Sequence, residues 1–128
     1  MGGPVGPGRS GAHLMADPIH AGDVYCLALP SGTGSELQGP HYVVVVSDGA
    51  YNDLPTVVVV PFSSGARRYS WRVPTTIRGA RTVVLIDQIR VVDKSVLREQ
   101  VGVLPDTALL AVRTALVDLL GLANLHVF

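Results

Sequence analysis

His41-Tyr42-Val43-Val44-Val45-Val46, led in by Gly34-Ser35-Glu36-Leu37-Gln38-Gly39-Pro40, is the stretch on which the fold turns. Four consecutive β-branched residues favour a strand. They are apolar at every position instead of every second one, so the strand reads as covered on both faces. The glycine-bounded polar turn brings Glu36 and His41 to the mouth of that strand. A second valine run, Val57 to Val60, ends in Pro61-Phe62-Ser63-Ser64 and delivers a pair of hydroxyls to a second strand end. Polar groups held at the ends of rigid buried strands are a common way for a small domain to support chemistry.

At 128 residues the chain is expected to form one domain. That length buries about two-thirds of the unfolded surface, so the fold needs neither disulfides nor a metal. Residues 1–18 are rich in Gly, Pro and Ser without periodicity and read as a disordered extension; Met15 is a candidate natural start, and residues 19–128 read as the folded domain. Cys26 is the only cysteine, which fits a reducing, cytoplasmic setting. No apolar run approaches the roughly 20 residues of a membrane span, and the N-terminus lacks the apolar core of a secretory signal. Zero net charge argues against a globally basic nucleic-acid binder. Arg67, Arg68, Arg72, Arg78, Arg81, Arg90, Lys94 and Arg98 nevertheless fall in one third of the chain, which allows a local basic surface or merely a solvated one.

Strands are expected over Asp23–Leu29, Tyr42–Ser47, Thr56–Phe62, Tyr69–Val73 and Thr82–Val92, the last bent near Asp87-Gln88, with a short closing strand at Val101–Val103. Asp48-Gly49, Asn52-Asp53 and Arg78-Gly79 mark turns. From Asp106 to Leu120 the period becomes helical: Leu109, Leu110, Val112, Leu116, Leu119 and Leu120 recur at helix spacing, and Gly121 is the stop. Leu109, Leu116 and Leu120 are expected in the core. Short strands followed by one helix predict a mainly β fold with some α: a small curved sheet or barrel with a C-terminal helix packed on it.

The four histidines share no ligand spacing and no paired carboxylates are visible, so neither a metal nor another cofactor is expected. Gly34 and Gly39 have half of a phosphate-loop spacing, but Pro40-His41 replaces the required Lys-Ser/Thr and a strand follows in place of a helix. Glu36, His41 and Ser63 remain. Histidine exchanges a proton near neutral pH. Each of the three also has a purely structural reading: a locally bonded turn histidine, a surface glutamate, a strand-end serine.

The order of these segments resembles the MazF/PemK family of bacterial toxins. Ala21-Gly22-Asp23-Val24-Tyr25 is similar to the family's opening strand, and Gly34-Ser35-Glu36 to its Gly-Ser-Glu loop. The likeness continues through Val57 to Ser64, through Val84-Leu85-Ile86-Asp87-Gln88-Ile89-Arg90-Val91-Val92-Asp93, and through Val101-Gly102-Val103-Leu104 to the helix closing on Leu119-Leu120-Gly121-Leu122. It spans roughly residues 19 to 122. The resemblance implies a small SH3-like barrel of the CcdB/MazF type, usually a homodimer, that is blocked by an antitoxin protein. It also implies a metal-independent, sequence-selective endoribonuclease that cuts single-stranded RNA by attack of the ribose 2′-hydroxyl on the adjacent phosphate. Glu36 matches the family glutamate, Ser63 a family threonine and Gln88 a glutamine. Where the family has a catalytic Arg-Pro, this chain has His41-Tyr42. The candidate catalytic residues are therefore His41 for proton transfer, Ser63 to orient the phosphate and Glu36 to assist. Ser64, Arg67, Arg68, Gln88 and Arg90 are the candidate substrate-binding residues. Histidine cannot form the bidentate phosphate clamp of an arginine, so two alternatives stay open: a CcdB-like toxin that binds DNA gyrase without cutting RNA, and a degenerate member that only binds its antitoxin or a nucleic acid.

Overall fold

The computed structural model describes residues 18–29, 34, 39–66, 69 and 71–124. Among them seven strands run β1 (Asp23–Leu29), β2 (Gly39–Val45), β3 (Thr56–Ser63), β4 (Val73–Ile77), β5 (Ala80–Val84), β6 (Arg90–Asp93) and β7 (Gln100–Val103), before the helix α1 (Asp106–Leu119). The sheet is antiparallel in the order β4-β5-β3-β2-β1-β7, with β6 also on β3. β4 and β7 share no pairing among the described residues, so the sheet is a curled half-barrel. The expected mainly β fold with one C-terminal helix is what forms.

The valine runs are apolar throughout because the sheet has two covered faces. Val44, Val60, Phe62 and Val84 pack with Ala108, Leu109, Val112 and Leu116 of α1. Val43, Val45, Val57 and Val59 turn the other way, onto Tyr25, Leu27, Leu29 and Val92. Val43 and Val44 are 0% exposed and Val45 is 1% exposed, so neighbouring residues of one strand serve opposite cores. Leu109 and Leu116 are core residues as expected, whereas Leu120 is 55% exposed: it lies past the last helical turn, where Gly121 ends the helix in a left-handed conformation (φ 71°).

Two strand expectations are corrected. Tyr69 and Trp71 precede β4 instead of belonging to a strand that ends at Val73; the strand begins at Val73. Thr82–Val92 is not one strand. Both β5 and β6 pair with the same edge of β3, but between Phe62↔Val84 and Val59↔Arg90 two residues of β3 face five of the partner. The surplus three, Ile86-Asp87-Gln88, are extruded as a 3₁₀ turn, and Leu85 N–H secures the excursion on Pro61 O at 2.8 Å. At the other end of β5, Arg78 (φ 50°) and Gly79 (φ 80°) form the two-residue link from β4, the left-handed pair that a tight hairpin requires.

Candidate functional site

β2 begins at Gly39, so His41 lies within the strand and not at its mouth. It pairs with Leu27 of β1 on one side. On the other side the register Val43↔Pro61, carried two residues further, sets His41 opposite Ser63 of β3. The ring confirms the approach: His41 Nδ1 is 3.0 Å from Phe62 O. A carbonyl oxygen can only accept, so Nδ1 carries the hydrogen and the neutral ring keeps its lone pair on Nε2. The strand scaffold therefore selects the tautomer. His41 and Ser63 are half-buried, and Ser64 just beyond is exposed.

Gln88 and Arg90 form a second, separate group. The three-residue extrusion positions Gln88, and Arg90 opens β6. Arg90 Nη2 donates to Gln88 Oε1 at 3.2 Å, and its Nε reaches Gln88 O at 3.5 Å. Arg90 pairs with Val59. It is thus two strand spacings across and four residues along from His41, roughly 16 Å at about 4.8 Å per strand and 3.3 Å per residue. His41 reaches the carbonyl of Phe62 beside Ser63, Gln88 and Arg90 bond to each other, and that backbone spacing separates the two groups. Glu36, Arg67 and Arg68 lie outside the described residues. Among the described residues no group of three or more His, Cys, Asp or Glu could hold a metal ion.

The sequence reading passed over two charged features. Asp23 is buried and caps the turn before β1, where its Oδ2 accepts from His20 N–H at 2.8 Å. Arg72, read only as one of many basic residues, makes a two-pronged bond to Asp87 of the extruded turn (Nε–Oδ1 3.1 Å, Nη2–Oδ2 2.8 Å). Beside it Tyr69 and Trp71 stack at one end of a groove of about 990 Å³ between α1 and the β4–β5 hairpin. The visible signal was three aromatic or basic residues within Tyr69–Arg72; it was absorbed into a supposed alternating strand.

Residues 20–120 match the family described as PemK-like, MazF-like toxin of type II toxin-antitoxin system. The chain belongs to this family. It is 32% identical over 115 residues to the Endoribonuclease MazF of Staphylococcus epidermidis, an alignment covering 83% of this chain and 94% of that protein. Its fold superposes on crystalline MazF from Deinococcus radiodurans with a TM-score of 0.73 at 31% identity, covering 82% of this chain and 98% of that one. A mycobacterial endoribonuclease in complex with its cognate antitoxin superposes with a TM-score of 0.66 at 25% identity, covering 80% and 95%. In this MazF-like frame the core strands, the extruded turn and the terminal helix all fall inside the matched residues.

Proposed function

We propose that this MazF-like chain is the toxin of a type II toxin–antitoxin pair and cuts single-stranded RNA as a metal-independent, sequence-selective endoribonuclease. The observation that carries the reading is the bond from His41 Nδ1–H to Phe62 O beside Ser63. It leaves Nε2 as a base at a fixed place. Nε2 takes the proton of a ribose 2′-hydroxyl. The 2′-oxygen attacks the adjacent phosphorus and the bond from phosphorus to the 5′-oxygen breaks; the leaving oxygen takes a proton from water to become a 5′-hydroxyl, the other fragment carries a 2′,3′-cyclic phosphate, and Nε2 returns its proton to solvent. Ser63 donates its hydroxyl to a phosphate oxygen and orients the group. Glu36 assists, and Ser64, Arg67, Arg68, Gln88 and Arg90 hold the strand on either side.

The relative named as an endoribonuclease supports RNA cleavage over gyrase binding. The solved complex of a relative with its antitoxin supports a protein antitoxin as partner. A homodimer is part of the proposal: Val117 and Leu120 of the helix region are exposed and lie outside the groove. No described helix is long and apolar enough to cross a membrane, and we place the protein in the cytoplasm.

Incubation with a mixed RNA in the presence of a chelator tests the reading. Fragments ending in cyclic phosphate are expected, and His41→Ala should lower kcat by about 10²- to 10⁴-fold, the usual contribution of a positioned base. A variant as fast as the parent would remove His41 from the mechanism.

A further inference from the structure

The connection from β3 to β4 ends in an arrangement that the chemistry at His41 does not use. Tyr69 and Trp71 stack with ring centroids 4.9 Å apart and planes 7° from parallel. The Arg72 guanidinium carbon lies 4.9 Å from the Tyr69 centroid and 5.2 Å from that of Trp71. Asp87 holds the same guanidinium through both of its oxygens. The charge of Arg72 is therefore balanced within the protein. Its role here is to fix the two rings, not to clamp a phosphate. Trp71 is left 41% exposed.

The position of the stack relates it to the candidate site. Val73, directly after Arg72, pairs with Val84, and Val84 pairs with Phe62, the residue whose carbonyl holds His41. Val73 thus stands about 10 Å from Phe62 at two strand spacings, and the stack lies just beyond Val73, on the α1 side of the sheet. A rigid, flat, charge-balanced aromatic surface at that range suits an unpaired base, because every base has a π-face and little ordering is lost when it docks.

We propose that the Tyr69–Trp71 stack seats a nucleobase of the RNA strand beyond the cut, with Trp71 as a substrate-positioning residue. The proposal rests on the ribonuclease reading above. It predicts a contribution to RNA affinity that is apolar in origin and so independent of salt.

Trp71 is the only tryptophan in the chain, so its fluorescence reports the site directly. A short oligonucleotide carrying 2′-deoxy sugars, which cannot be cut by 2′-hydroxyl attack, should quench it saturably, while inorganic phosphate should not. Trp71→Ala should raise KM for RNA about tenfold with kcat unchanged and the salt dependence of binding unaltered. Trp71→Phe should restore most of the loss, which separates stacking from a folding defect. A parent that cuts RNA while its fluorescence ignores the oligonucleotide and KM stays the same in Trp71→Ala would overturn the platform and leave the ribonuclease standing. Fluorescence that responds only to protein concentration or to an apolar peptide would also overturn it, in favour of a protein-docking groove. A parent that cuts nothing would defeat the ribonuclease reading, and the oligonucleotide titration would still decide whether the stack takes a base.

Discussion

His41 stands where the resemblance implies an arginine, and the exchange alters what the position does. An arginine offers a permanent charge and a fork of donors. An imidazole bonded to Phe62 O offers one lone pair, available only when the ring is neutral. Ser63 supplies a single neutral hydrogen bond. Ser63→Ala should lower kcat about tenfold and Ser63→Thr, which keeps the hydroxyl, should change it little. At Gly22 the constraint is conformational: φ is +96°, whereas an added Cβ would meet Leu109 Cδ2 at 3.4 Å and Leu104 O at 3.5 Å, ordinary contact distances. Gly22→Ala should cost about 1–3 kcal/mol, read from the denaturant midpoint.

Among the elements, the β4–β5 hairpin turns on Arg78, a side chain in the left-handed region. Asn tolerates that conformation better, and Arg78→Asn should add about 0.5–1 kcal/mol of stability by thermal melt. The short 3₁₀ turn Lys94–Val96 is capped by Asp93, whose carboxylate accepts from Ser95 N–H at 2.9 Å. That backbone bond, aided by the Ser95 side chain, holds the carboxyl below the usual aspartate value of 3.8. The cap therefore contributes above that value and is lost as the pH falls through the lower folded one. Amide exchange at Ser95 should quicken only in acid, and Asp93→Asn should flatten that response. These elements also mark how far the sequence can be read. The valine strands and the helix from Asp106 follow from local chemistry, as do the turns at Asp48-Gly49 and Arg78-Gly79. The break at Ile86–Gln88 does not: each half of Thr82–Val92 is a good strand, and only the shared edge of β3 forces three residues out. That His41 and Ser63 belong to two buried strands was legible, but the position of His41 inside β2 was not, and its tautomer depends on a carbonyl 21 residues away. The union of Arg72 with Asp87 depends on the extruded turn and could not be seen before the register was known.

For the molecule as a whole, a sheet with two cores divides the labour. One face belongs to α1, and the other closes around Tyr25, Leu27 and Leu29. Val44→Ala, in a fully buried position facing the helix, should destabilise the whole domain by about 2–3 kcal/mol and lower unfolding midpoints for sheet and helix alike. Coincident far-ultraviolet and fluorescence transitions would show that the two cores melt together. The same arrangement carries a hazard during synthesis. Val43–Val46 and Val57–Val60 are uncharged, β-branched runs of the kind that stack into fibrils when left unpaired. Each is bracketed in sequence by residues that interrupt such stacking: Pro40 and Asp48 around the first, Pro55 and Pro61 around the second. Pro61 sits in a ladder as the partner of Val43, an unusual place for a residue without an N–H. Its worth lies outside the native state. Pro61→Val would lengthen the second run without a break, and refolding from denaturant should then scatter light at protein concentrations where the parent stays clear. The purity of these strands thus makes the nascent chain's solubility depend on a few prolines.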